Sequence, residues 1–130
     1  MILLDTNICI YIINQKPPTV LERFKSFNAG EIGVSSIVAA ELAFGVEKTN
    51  SSRNKQALNL FLAPMTIVPF DAACIWSYAS LRSHLEKQGQ PIGSLDTMIA
   101  AQALALDLPL VTNNLKEFSR VPKLKLENWV

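Results

Sequence analysis

The chain has 130 residues, 49% of them hydrophobic and 18% charged, which suits one globular domain over residues 1–130 with a filled core and excludes a disordered chain. No apolar run approaches the roughly 20 residues that cross a bilayer, and the opening Met1-Ile2-Leu3-Leu4-Asp5 lacks the basic region of a signal peptide, so a cytoplasmic protein without membrane contact is expected. The net charge of +1 excludes no class of partner.

Short apolar runs alternate with longer helical patterns, the signature of an α/β fold with a mostly parallel sheet. The first strand is Ile2 to Leu4, too uniformly apolar for an exposed edge. A helix starting near Thr6 or Asn7 carries Cys9, Ile10, Ile12 and Ile13 until Pro17-Pro18-Thr19 breaks it. The next has Val20, Leu21, Phe24 and Phe27 at helical spacing and stops at Asn28-Ala29-Gly30. Glu31 to Val34 reads as the second strand, and Ser35 or Ser36 caps a helix that carries Glu41. A further helix follows Thr49-Asn50-Ser51-Ser52, with Ala57, Leu58, Phe61 and Leu62 inward, and ends at Pro64. Met65 to Val68 is the third strand. Asp71 then caps a long helix to about Lys87 with the stripe Cys74, Tyr78, Leu81 and Leu85. The loop Gln88 to Ser94 leads into the Asp96 helix. Leu110-Val111 is a brief fourth strand, followed by a short helix around Lys116 to Ser119 and a last strand around Leu124 to Leu126.

Three acids sit in apolar settings. Asp5 ends the first strand, Asp96 opens the apolar helix Met98-Ile99-Ala100-Ala101, and Glu41 lies mid-helix with Ile37, Val38, Phe44 and Gly45 as its neighbours at three and four residues. That pattern places Glu41 on the packed side of its helix. Buried carboxylates are costly unless paired, hydrogen-bonded or metal-bound, and no matching set of buried cations is visible. Plainer readings exist: Asp5 as a helix cap, Asp96 as a first-turn acid favoured by the helix dipole. Taken together, the three point to a divalent metal, which removes the mutual repulsion of clustered carboxylates. Asp5 and the Thr112-Asn113-Asn114 segment each follow a strand and so fall on one rim of the sheet, where open α/β sheets bind ligands. Setting those three acids aside leaves eight against twelve Lys and Arg, a balance that fits a polyanionic substrate and equally an ordinary mixed surface.

Other chemistry is not supported. His84 shares its helix face with Ser77, Ser80 and Gln88 and reads as solvent-facing. Cys9 and Cys74 are isolated among apolar residues and read as reduced, buried thiols. No histidine or cysteine cluster offers zinc, and neither GxxxxGK[ST] nor GxGxxG is present. Trp76 and Trp129 read as core or packing residues.

Four stretches carry a resemblance: Leu4-Asp5-Thr6-Asn7; Ser35-Ser36 with Ala40-Glu41-Leu42 and Gly45; Asp96-Thr97-Met98-Ile99-Ala100-Ala101-Gln102-Ala103; and Leu110-Val111-Thr112-Asn113-Asn114 with Glu117-Phe118. In that order, from Met1 to about Trp129, the chain resembles the PIN-domain ribonucleases and within them the VapC-type toxins of bacterial toxin–antitoxin pairs. The resemblance implies a three-layer α/β/α domain around a sheet of about five short strands. It also implies metal-assisted hydrolysis of RNA phosphodiesters, with structured RNA, transfer RNA first, as the target. Asp5, Glu41 and Asp96 fall on the family's catalytic acids and would hold Mg²⁺ or Mn²⁺, while Thr6, Asn7, Thr112, Asn113 and Asn114 would orient them. Asn114 stands where many members carry a fourth acid, so the second ion is expected to bind less firmly. A homodimer is implied, as is an antitoxin whose C-terminal segment covers the site. The other classes to weigh are a receiver-like signalling domain and a catalytically silent metal-binding interaction module.

Overall fold

The computed structural model describes residues 1–130. β1 (Ile2–Leu4) leads into α1 (Thr6–Asn14) and α2 (Pro18–Lys25), and β2 (Ile32–Ser35) into α3 (Ser36–Thr49) and α4 (Ser52–Leu62). β3 (Thr66–Val68) leads into α5 (Ala72–Lys87) and α6 (Ser94–Leu106). β4 (Leu110–Val111), the single-turn α7 (Leu115–Phe118) and β5 (Leu126–Glu127) follow. The strands form one sheet in the order β3-β2-β1-β4-β5, and every pair is parallel. The expected α/β architecture is therefore present, with a sheet that is wholly parallel. Its last strand lies at Leu126–Glu127, slightly later than the apolar pattern suggests, because those residues pair with Leu110 and Val111.

Right-handed crossovers decide the layers. Stepping outward from β1 to β2 to β3 puts α1 to α4 on one face, where α1 packs against α2, α3 and α4. Crossing back to β4 and β5 puts α5, α6 and α7 on the other face, with α5 packed along α6. β1 and β4 are buried throughout, as uninterrupted apolar strands in a parallel sheet must be. β3 is one edge, β5 the other, and Thr66 and Ile67 of β3 are exposed.

Local chemistry sets the ends of the helices. The Ser35 hydroxyl accepts from the Ile37 N–H at 3.0 Å and the Asp71 carboxylate from the Ala73 N–H at 3.1 Å, so both expected caps form. Ser36 instead accepts from the Phe70 N–H at 3.0 Å, which ties the start of α3 to the β3–α5 turn. Asn50 and Asp107, with φ near 51° and 53°, end α3 and α6 in the left-handed conformation that their short polar side chains tolerate. Gln102, fully buried on α6, donates to the carbonyls of Val68 and Pro69 at 3.0 Å and so pins the end of the edge strand.

The core is built on Leu3, Leu4, Ile8, Val34, Val38, Ile99, Leu110 and Phe118. Phe118 anchors α7, a turn too short to hold itself. Both cysteines are free and buried, and burial beside Asp5 pushes the Cys9 thiol up out of reactive range. His84 is exposed, as its helix face implies. Two expectations fail. Trp76 is 80% exposed, not a packing residue; only Trp129 is buried, stacked on Phe27 with ring centroids 5.5 Å apart. Phe44 is 64% exposed: Val38 and Leu42 define the inward stripe of α3, and two residues beyond Leu42 is about 200° around the helix. Glu41, next to Leu42, is half-buried.

Candidate functional site

β1 and β4 are neighbours in the sheet, yet the helices that follow them leave toward opposite faces. That divergence opens a crevice beyond their carboxyl ends, the usual ligand position in an open parallel sheet. Register aligns Leu4 with Val111, so Asp5 and Thr112 emerge side by side at this point.

Asp5 is almost fully buried, and its two oxygens have separate donors. Oδ1 accepts from the Thr6 N–H at 2.8 Å, which also makes it the cap of α1, and Oδ2 accepts from the Thr112 hydroxyl at 2.8 Å. Burial raises its pKa, the Thr112 and Thr6 hydrogen bonds oppose that rise, and the charge of Glu117 adds to it. Thr112 is wholly buried, and its hydroxyl also accepts from the Asn114 N–H at 3.0 Å. The Thr6 hydroxyl donates to Glu41 Oε1 at 3.1 Å, so Thr6 joins β1 to α3 by touching one acid with its backbone and another with its side chain.

Asp96 occupies the first turn of α6. Its carboxyl is pushed up to about 7, first by burial, then by a hydrogen bond with Glu117, then by the charges of Asp5, Glu117 and Glu41. Glu117 is thus a fourth acid of the cluster; the resemblance included Glu117-Phe118, but no site role was read for Glu117. Its only sequence signal is its place in the Asn114–Phe118 stretch. Asn114 does not replace it: the Asn114 amide donates toward Glu117 Oε2 at 3.4 Å, so the amide holds the acid three residues ahead. Asn113 turns the other way and donates to the Tyr11 hydroxyl at 3.0 Å, and Asn7 is exposed at the rim.

The structure therefore brings Asp5, Glu41 and Asp96 into one electrostatic group and adds Glu117. None of the four is in an ion pair; the salt bridges are Arg23–Glu127, Lys55–Glu47, Arg82–Glu86 and Lys125–Asp107. Nor do three or more of them close on a single chelation point. Asp5 is held by Thr6 and Thr112 and Glu41 by Thr6, while Glu117 acts on Asp96 by raising its pKa. The donor set is all oxygen and strongly acidic, with no thiol or imidazole, which fits a hard divalent cation and not zinc. Beside the acids opens a groove of about 310 Å³ between α1, α3 and α4, from Thr6 and Glu41 past Ile10, Ile13 and Val46 to Leu58.

Comparison with known proteins gives the family and the fold. The family model described as PIN domain matches residues 2–124. The chain is 44% identical over 129 residues to Ribonuclease VapC2 of Rickettsia felis, covering 98% of this chain and 96% of the relative. It is 41% identical over 128 residues to the tRNA(fMet)-specific endonuclease VapC of Shigella flexneri, with the same coverage. Among solved structures, VapBC2 from Rickettsia felis bound to a promoter DNA fragment superposes with a TM-score of 0.90 at 44% identity over all of both chains. VapBC-1 from nontypeable Haemophilus influenzae gives 0.85 at 32%, covering 99% of this chain and 98% of that one.

Proposed function

This chain belongs to the PIN-domain family, and on that premise we propose that it is a metal-dependent endoribonuclease, the toxin of a toxin–antitoxin pair, acting in the cytoplasm as one domain of residues 1–130. The observation that carries the reading is the cluster Asp5, Glu41, Asp96 and Glu117 at the sheet's switch point, four carboxylates with no cation of the protein's own. A receiver-like domain needs a Lys after a late strand, and here Thr112-Asn113-Asn114 follows β4. The tRNA(fMet) specificity of the Shigella flexneri relative makes initiator transfer RNA the first substrate to try.

Asp5, Glu41, Asp96 and Glu117 would hold Mg²⁺ or Mn²⁺. When bound, such an ion polarises phosphoryl oxygens and lowers the pKa of an attacking water. The chain's own groups prepare for it. Thr112 and the Thr6 amide fix both oxygens of Asp5, and the Thr6 hydroxyl orients Glu41. Asp96, raised to about 7, would keep a proton near neutral pH and would release it to a bound cation, which would link ion uptake to pH. The one histidine, His84, lies exposed in the last turn of α5, which leaves positioning and electrostatics as the protein's contribution. The groove beside Glu41 suits an antitoxin segment with apolar side chains leading to a basic one, which would neutralise the acids and block RNA. The active toxin is taken to be a homodimer.

The test is antitoxin-free protein with bacterial total RNA, with Mg²⁺, Mn²⁺ or chelator, mapping new 5′ ends. Discrete metal-dependent cuts that disappear with Asp5→Asn are expected. Cleavage by Asp5→Asn at the wild-type rate, or no cuts in any metal from folded protein, overturns the reading.

A further inference from the structure

The acid cluster continues into an aromatic ring and a cation along the outer side of α3. Glu41, Phe44 and Lys48 are spaced by three and four residues, so they share one helix face. From helical rise and twist, the Lys48 Cα stands about 10.5 Å along the axis from that of Glu41 and only about 20° around it. Phe44 is 64% exposed, and the Lys48 ammonium lies over its ring, 4.9 Å from the centroid. Lys48 is in none of the ion pairs. Glu47, the acid three residues beyond Phe44, is taken by Lys55 of α4 at 3.1 Å. The ridge therefore presents one open aromatic ring and one unpaired positive charge beside the acids.

That pairing selects a nucleic-acid strand. Every nucleobase has a π-face that stacks on an aromatic ring, and a cation beside the ring meets the phosphate; single strands are held in this way without sequence readout. An antitoxin segment with apolar side chains suits the groove between α1, α3 and α4, which Gly45, Val46 and Thr49 line and Phe44 and Lys48 do not. The ridge is thus left open outside that groove. A strand cut at the acid cluster passes Glu41, and its continuation along α3 meets Phe44 before Lys48. We infer that Phe44 and Lys48 form a subsite for the RNA nucleotide adjoining the cut, with the base stacked on the Phe44 ring and the phosphate at Lys48. The inference rests on the ribonuclease reading above and adds where the substrate strand runs. A phenyl ring has no hydrogen-bonding edge, so the subsite adds affinity without choosing among bases.

The test is RNA affinity of the full chain carrying Asp5→Asn, so that binding is read without cleavage, with fluorescein-labelled initiator transfer RNA followed by fluorescence anisotropy. Adding Phe44→Ala should weaken binding by at least about fivefold, the low end for losing one base stack, whereas Phe44→Trp should bind at least as tightly. Lys48→Met should lower the slope of log affinity against log salt by about one. In the background with Asp5 intact, Phe44→Ala should lose more in KM than in kcat. Both side chains are exposed, and circular dichroism with sedimentation velocity checks that fold and assembly are unaltered. No RNA binding at low salt, equal affinity in Phe44→Ala, an unchanged salt slope in Lys48→Met, or a loss that tracks an altered sedimentation profile overturns the inference. Unchanged RNA affinity with weakened capture of the antitoxin also overturns it and assigns the ridge to that partner. Wild-type cleavage that neither substitution affects leaves the ribonuclease standing and removes the subsite. Binding that depends on Phe44 and Lys48 without any cleavage does the reverse.

Discussion

At the β1 end of the acid cluster Asp5 is met by hydrogen-bond donors, while at the α6 end Asp96 is met by another acid. Both carboxyl groups lose water, and burial raises both pKa values. Two neutral donors at 2.8 Å oppose that rise for Asp5 without cancelling it, whereas a hydrogen bond and charge from Glu117 add to it for Asp96, which reaches about 7. One end of the site is thus built to keep a charge in place without an ion. The other stores a proton until an ion displaces it. A metal site in this fold can be prepared by fixing one ligand and leaving another frustrated.

The comparison can be broken most sharply at the acids themselves. Asp5→Asn and Asp96→Asn should each lower RNA cleavage by a factor of at least about 10²–10³, the scale of losing a charged group that stabilises a transition state, measured as initial rates in Mg²⁺ under matched folding. Retained activity in either would reduce that end to a structural role. Glu117→Gln comes next: removing the partner of Asp96 should weaken divalent-ion binding by about 10–100-fold, read by calorimetric titration, and should lower the Asp96 pKa. Unchanged ion affinity would leave Glu117 outside the site.

Thr112→Val tests the donor end. It keeps the volume of a wholly buried side chain while taking a hydroxyl from Asp5 Oδ2, at a cost of roughly 1–3 kcal/mol in urea unfolding without metal. A neutral effect would mean that Asp5 does not depend on that donor. The last test is a slope. Asp96 binds its proton more tightly folded, near 7, than at its model-compound value of 3.8. Its contribution to stability is therefore complete below about pH 4 and is lost as pH rises through 7. Melting curves of metal-free wild type minus Asp96→Asn should fall across that window, and added Mg²⁺ should abolish the fall. A flat difference would show that Asp96 ionises normally.

How much of this was legible varied residue by residue. Asp5 could be read because an apolar strand ending in an acid is a local pattern, and Thr112 because it follows the apolar pair Leu110-Val111. Asp96 stood out against an alanine-rich helix. Glu117 did not, since Leu115-Lys116-Glu117-Phe118 looks like any surface turn until Phe118 is buried and draws it to Asp96. Asn114, placed by resemblance in the position of an acid, proved to be the donor that holds one. Trp76 and Phe44 were misjudged for a related reason: an apolar residue on an apolar helix reads as core, and only the packed stripe shows which way it faces.

By itself the sequence determined the alternation of strands and helices, the parallel sheet with buried central strands, and the three acids in apolar surroundings, because periodicity, caps and desolvation act over a few residues. The tertiary structure alone decided that Glu117 completes the group, that Thr6 and Thr112 share out the oxygens of the acids, and that one helix shows an uncharged tryptophan face to water. Those facts depend on contacts between residues up to 107 apart in the chain, and no local pattern of hydrophobicity or charge encodes which distant partner a side chain will meet.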